Sequence, residues 1–294
     1  MKRFYFAAAI AAMASAVFCS CNNQDEVTPP LPEKAELGFS SVVTADLQTR
    51  ADAGNKDLNA AFKINLDGTD VYTEAVTDQK VEFSTNKYTI TPTIYLLAAS
   101  RNLTAWAPDT VSPDQTTAPN VFTLTPGEES VAVDFRYQEK LSVNSANCTD
   151  LSLTLVHAFA KLTFTLNATN YPFAAPSLTS LVVKGTPGAS TINIFEKKYV
   201  TASDADLTVV SAATDFTSPN TVAALVVPKT PATLELDCTL DGTNYTGIAV
   251  TGITKLEAGA NYNITINITG KEINISGVQV PDWTTGDNGS ADLN

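Results

Sequence analysis

Tyr262-Asn263-Ile264-Thr265-Ile266-Asn267-Ile268 carries an apolar side chain at every second position, with an amide or hydroxyl between each pair. In an extended chain successive side chains point to opposite faces, so this segment is predicted to be a strand with one face buried and the other in water. Leu162-Thr163-Phe164-Thr165-Leu166 repeats the pattern. So does the run in which Val131, Val133, Phe135 and Tyr137 alternate with Ala132, Asp134 and Arg136. Half-buried strands of this kind belong to antiparallel sheets. Leu162, Phe164, Tyr262, Ile264 and Ile266 are therefore expected in a core.

Working outward, turn dipeptides separate the apolar runs: Asp67-Gly68, Pro126-Gly127, Pro187-Gly188 and Asp241-Gly242. The last predicts a tight hairpin between Thr233–Leu240 and Asn244–Val250. No stretch beyond the N-terminus keeps a 3.6-residue period for a dozen residues. Thr, a β-branched strand former, occurs 40 times in 294 residues. Many short strands with turn punctuation mean sandwiches or barrels. At about 150 residues per domain the length suits two in series, 51–148 and 149–294.

The N-terminus is of a different kind. Lys2 and Arg3 precede an uncharged, mostly apolar run from Phe4 to Phe18. A core of about 15 residues suits an export signal and is short for a membrane span. Ser20 is a small residue before Cys21, and Asn22-Asn23-Gln24-Asp25-Glu26 follows directly. Residues 1–20 are therefore expected to be a lipoprotein signal peptide, with Cys21 carrying fatty acyl chains such as palmitate. Residues 21–50 are expected to form a lipidated linker with one strand, Leu37-Gly38-Phe39-Ser40-Ser41-Val42-Val43, lifted from the membrane by Pro29, Pro30 and Pro32.

Charge and composition exclude several functions. The formal net charge is −13, from 18 basic and 31 acidic residues. Such a chain repels phosphate backbones, so no nucleic-acid partner is expected. The single histidine, His157, removes most His-dependent chemistry, and alternation places it with Leu153 and Leu155 as a hydrogen-bonded structural residue. No Gly-rich phosphate cradle, HExxH, CxxC or GxSxG motif occurs. Asp67-Gly68-Thr69-Asp70 is too short for a calcium loop. No catalytic residue, metal or cofactor is expected, and no enzyme. Trp106 and Trp283 suit core or interface anchoring better than glycan stacking. Cys148 and Cys238 could pair or remain free. Cys238 shares a face with leucines, which suits a buried thiol.

Arginine is the most informative charged residue. Only Arg3, Arg50, Arg101 and Arg136 occur. Arg50 lies in the polar stretch Leu47-Gln48-Thr49-Arg50-Ala51-Asp52, where an arginine-specific protease would cut most readily.

These features together resemble the fimbrillin family, the type V pilins of Bacteroidales. The resemblance rests on the signal ending in Cys21, on Leu37–Val43 followed by Thr49-Arg50-Ala51, and on Leu155-Val156-His157-Ala158-Phe159-Ala160-Lys161-Leu162. It also rests on Leu256-Glu257-Ala258-Gly259-Ala260-Asn261-Tyr262-Asn263-Ile264 and Val280-Pro281-Asp282-Trp283. It implies an all-β chain of two tandem transthyretin-like β-sandwich domains. It also implies a structural and adhesive subunit of a fimbrium, carried to the outer membrane by its lipid and exposed at the cell surface. An arginine-specific protease would cut between Arg50 and Ala51 and remove the strand containing Leu37, Phe39 and Val42. A strand of another fimbrial subunit would fill the gap. This chain's own candidate donor is Ile273, Ile275, Val278 and Val280, interrupted by Gly277. The polar tail after Trp283 leaves a tip or accessory role open beside a stalk role. A host or bacterial surface ligand is a further expected partner. The alternative is a monomeric lipid-anchored protein that binds glycan or a host ligand.

Overall fold

The alternating segments at Leu162–Leu166 and Tyr262–Ile268 form strands, whereas the run from Val131 to Tyr137 reaches a strand only at Arg136, its first three residues lying outside the described ones. The computed structural model describes residues 33–45, 56–68, 75–114, 118–129, 134–169, 177–210, 214–215, 221–269 and 272–279. These are all-β, with no helix among the described residues. Cys21, Arg50, Ala51, Val280 and Trp283 lie outside them.

The N-terminal half is organised by one eight-stranded sheet. Its order is Lys56–Asp57, Phe39–Thr44, Leu151–His157, Arg136–Val143, Arg101–Ala107, Phe62–Leu66, Val76–Ser84 and Lys87–Ile90. All neighbours are antiparallel except Phe39–Thr44 and Leu151–His157, which run parallel. A parallel pair cannot come from a hairpin, and about a hundred residues of chain separate Phe39–Thr44 from Leu151–His157. Leu151–His157 lies within this sheet, so the sheet extends past residue 148. Phe62, Ile64, Leu103, Leu153 and Leu155 fill the core beneath it.

The C-terminal half has two five-stranded sheets. One has the order Gly127–Glu128, Thr221–Val226, Ala160–Thr169, Asn261–Thr269 and Glu272–Gln279. Ala160–Thr169 and Asn261–Thr269, expected in antiparallel pairing, instead run parallel to each other and in register from Lys161↔Asn261 to Thr169↔Thr269; alternation fixes which face is buried and not the direction of the neighbour. The other runs Asp204–Val210, Ser177–Pro187, Leu234–Leu240 and Thr243–Val250, with Thr214–Asp215 also on Ser177–Pro187. Inward faces of both sheets supply one apolar cluster, in which Leu162, Phe164, Tyr262, Ile264 and Ile266 are all buried as expected. The predicted hairpin is present: Leu240 pairs with Thr243, and Asp241 and Gly242 have φ of 45° and 76°. Two successive positive φ angles are what a two-residue turn between twisted strands demands.

A third cluster joins residues of both halves. Trp106, Phe135, Tyr137 and Phe159 meet Ile192 and Leu225 there. Beside it lies the three-stranded sheet Val121–Leu124, Ser190–Asn193 and Lys198–Val200.

The difference between faces is measurable. Ile264→Val should cost about 0.5–1.5 kcal/mol. Thr165→Ala, on the half-exposed face of the neighbouring strand, should stay within about 0.5 kcal/mol of wild type. Chemical denaturation of both variants checks this.

Candidate functional site: the seat of the first strand

Residues 33–45 are held by two different sheets. Ala35–Glu36 pairs antiparallel with Tyr95–Leu96, and Phe39–Thr44 pairs parallel with Leu151–His157. Between them the chain crosses over at Leu37-Gly38, where Leu37 N–H donates to Ile94 O at 2.9 Å and Gly38 N–H to Cys148 O at 2.9 Å. Leu151 N–H returns a bond to Gly38 O at 3.0 Å. Further along, Ala45 N–H donates to Leu155 O, and Leu58 N–H donates to Val42 O. Of the predicted strand Leu37–Val43, Phe39 to Val43 lies in the strand Phe39–Thr44 and Leu37-Gly38 is the crossover, with the two-residue strand Ala35–Glu36 before it.

Leu37 and Val42 are buried at 3% and 1% exposure, and Phe39 is half-buried with its ring edge-on to Phe62 at 5.2 Å. The register slips by one residue at Ser40. Ser40 and Ser41 both reach Ser152, at 3.3 and 3.0 Å between hydroxyl oxygens. At the start of the segment the Lys34 ammonium sits 4.6 Å from the centre of the Tyr95 ring. Lys56–Asp57 covers only the end of Phe39–Thr44, through Val43 and Thr44. Beside the remainder lies a cavity of about 360 Å³ lined by Ser40, Val42, Asn59, Phe83 and Tyr88 among others.

Cys148 lies directly under this segment. It is fully buried, and its Sγ is 3.7 Å from Ala35 O and 3.6 Å from Glu36 O, the reach of a weak S–H donor. Burial pushes its thiol pKa up. Cys238 is buried in the C-terminal core, where burial and the neighbouring Asp237 carboxylate push its pKa up to about 11. Both thiols are free.

The C-terminal candidates occupy another edge. Ile273, Ile275 and Val278 lie on Glu272–Gln279, which pairs antiparallel with Asn261–Thr269 through Ile268↔Ile273, Ile266↔Ile275 and Ile264↔Val278. The step from Ile275 to Val278 holds one residue more than the step it faces, so a bulge falls at Ser276-Gly277. This is where Gly277 breaks the alternation of the sequence. The strand therefore completes its own sheet.

His157 is structural, as alternation predicts. It is buried, and its Nδ1–H donates to Asp134 Oδ1 at 2.8 Å. The same carboxylate accepts from Arg136 Nε at 2.7 Å and lies 2.6 Å from Arg136 Nη2. Asp134, expected on the wet face, is instead buried at 7% exposure, with His157 and Arg136 as hydrogen-bond partners for its carboxylate. Burial opposes its ionisation. The His157 hydrogen bond and charge, with the Arg136 guanidinium, outweigh that and hold the carboxyl below its usual range. Trp106 is fully buried, stacks obliquely on Phe122 at 4.9 Å and donates its indole N–H to Val111 O, so it cannot stack on a glycan. Among the described residues no cluster of acidic, His or Cys side chains is arranged to hold a metal.

Sequence reasoning missed the crossover at Gly38, the pairing with Tyr95–Leu96, the position of Cys148 and the burial of Asp134. One signal was present: a glycine inside an apolar strand marks close backbone approach.

A family model described as fimbrillin-like matches residues 49–283. The match begins beside Arg50 and leaves Phe39–Thr44 outside it. The fold is similar to that of a proposed cell adhesion protein from Bacteroides uniformis, with 18% identity, TM-score 0.59, and 85% of this chain and 99% of that one covered. It is also similar to a proposed cell adhesion protein from Bacteroides ovatus, with 12% identity, TM-score 0.61, and 87% and 100% covered. A fimbrial protein from Bacteroides vulgatus aligns with 9% identity, TM-score 0.51, and 85% and 99% covered. Comparison with curated proteins gives no match.

Proposed function

Because the chain belongs to the fimbrillin-like family, whose members are structural and adhesive rather than enzymatic, we propose that it is an adhesive subunit of a cell-surface fimbrium, assembled by strand exchange. In this reading the chain reaches the outer membrane as a lipoprotein acylated at Cys21. An arginine-specific protease cuts between Arg50 and Ala51, and residues 21–50 leave with the lipid. The observation that carries the proposal is the seat of residues 33–45. They are stitched to two sheets, bury Leu37 and Val42, and end five residues before Arg50. Their loss would leave Leu151–His157 with an open edge and Tyr95–Leu96 without its partner, and unpaired strand edges recruit other strands. Head-to-tail repetition of such a contact gives an open filament. The remaining residues 51–294 hold 14 basic and 26 acidic side chains, a net charge of −12, which disfavours unspecific clumping.

The two parallel pairs suggest where the two sandwich domains divide. Leu151–His157 would close the first and Ala160–Thr169 would open the second, which moves the junction from residue 148 to Ala158-Phe159. Glu272–Gln279 already completes its own sheet. That favours a tip or accessory subunit, which accepts a strand without donating one.

Mass spectrometry of the surface protein's N-terminus, with and without an arginine-specific protease, tests the reading. A mature N-terminus at Ala51 and SDS-resistant ladders are expected. An intact lipoprotein that stays monomeric and binds glycan or a host ligand would overturn it. Separately, Cys21→Ala should abolish incorporation of labelled palmitate into the precursor. Unchanged labelling would move the acylated residue elsewhere.

A further inference from the structure

We infer that the seat of the first strand accepts only a strand with a large apolar residue followed directly by glycine, and that this strand comes from a chain of different sequence. The inference rests on the strand-exchange reading and adds a rule for the partner. Gly38 is hemmed in by backbone: a Cβ there would lie 2.6 Å from Thr149 O. Real Cβ atoms do not approach a carbonyl oxygen so closely, and Thr149 cannot swing aside as a side-chain tip could. Cys148 just before it and Leu151 two residues after it are both hydrogen-bonded to Gly38 itself, through Cys148 O and Leu151 N. Any strand that crosses between Tyr95–Leu96 and Leu151–His157 on this path meets the same wall.

The positions around the crossover complete the rule. Leu37 precedes the glycine and is buried, Phe39 follows and meets Phe62, and Val42 and Thr44 are buried beyond. The extra residue at Ser40 sets the spacing between Phe39 and Val42. An incoming strand thus needs a large apolar residue, glycine, an aromatic or large apolar residue, two polar residues and a β-branched residue, in that order.

This chain offers the pattern once. It has 14 glycines, and only Gly38 directly follows a Leu, Ile, Val, Met, Phe, Tyr or Trp. Near the C-terminus the glycines at 270, 277, 286 and 289 follow Thr269, Ser276, Thr285 and Asn288. The C-terminal strand of a second copy therefore lacks the large apolar residue that would replace Leu37. The fitting occupant is a strand of another subunit that carries the pattern.

The test uses the full chain cut after residue 50 by an arginine-specific protease, or at a protease site inserted there. Fluorescent peptides compete for the seat, read by anisotropy and by protection of Cys148 from a thiol reagent. A peptide of residues 33–45 should enter and protect Cys148. The same peptide with Gly38→Val should bind about tenfold more weakly or worse, and so should a peptide of residues 271–283. Equal binding of the Gly38→Val peptide would overturn the glycine rule and leave strand exchange standing. Binding of residues 271–283 as tight as that of residues 33–45 would overturn the requirement for a different chain. Failure of every peptide, with the native segment never leaving, would overturn strand exchange and this inference together.

Discussion

Asp134→Asn should lower stability by about 3–5 kcal/mol, the cost of removing one partner from a buried ionic group. The carboxylate accepts from the His157 Nδ1–H and faces the Arg136 fork, at 2.6–2.8 Å. An amide offers one acceptor oxygen in place of two and no charge. The site lies where Arg136 pairs with both Ala107 and His157 across three strands of the eight-stranded sheet, so loosening it loosens the sheet. The pH dependence has a definite sign. The Asp134 carboxyl is held below its ordinary value in the folded chain. Its contribution is complete above the unfolded value of about 3.9 and is lost as pH falls through the lower folded value. Urea denaturation at stepped pH should therefore show a large gap between wild type and Asp134→Asn near neutrality. The gap should close below about pH 4. A gap that stays constant down to pH 2 would assign the loss to shape rather than charge.

Arg50→Ala should abolish processing and assembly together. If the cut after Arg50 releases residues 33–45, the core loses the burial of Leu37 and Val42, about 1.5–3 kcal/mol each. Several backbone bonds to Ile94, Cys148, Leu151 and Leu155 go with them. The opened subunit should be unstable or adhesive until another strand enters. Cys148 and Cys238 provide an internal pair of probes. Cys148 sits under Ala35 and Glu36, whereas Cys238 sits between two sheets of the other core. After cutting, a thiol reagent should modify Cys148 and spare Cys238. When a partner strand fills the seat, Cys148 should be protected again. In Arg50→Ala both thiols should stay protected and the protein should stay monomeric. Fibres that retain residues 33–45 would exclude strand removal. A cut chain that remains a stable monomer beside every other fimbrial subunit would favour a lone surface binder.

Local pattern alone determined the all-β class, the strands at Ala160–Thr169 and Asn261–Thr269, their buried faces and the turn at Asp241-Gly242. Each follows from a period of two or from the φ angles a short turn needs, and both are properties of neighbouring residues. The order of motifs along the chain also pointed to the family whose model matches residues 49–283. Beyond that hairpin, only the tertiary structure decided which strands lie side by side. The parallel pairing of Phe39–Thr44 with Leu151–His157 joins residues about a hundred positions apart, and alternation specifies a face, never a neighbour. Asp134 was assigned to water because its own alternation says so. It is buried where Arg136, at the start of one strand, and His157, at the end of the next, converge on it. Gly38 carried a faint mark of close approach. That Thr149 O is the atom it must clear, and that the Cys148 carbonyl is the one it bonds, follows only from two segments meeting at the crossover between sheets.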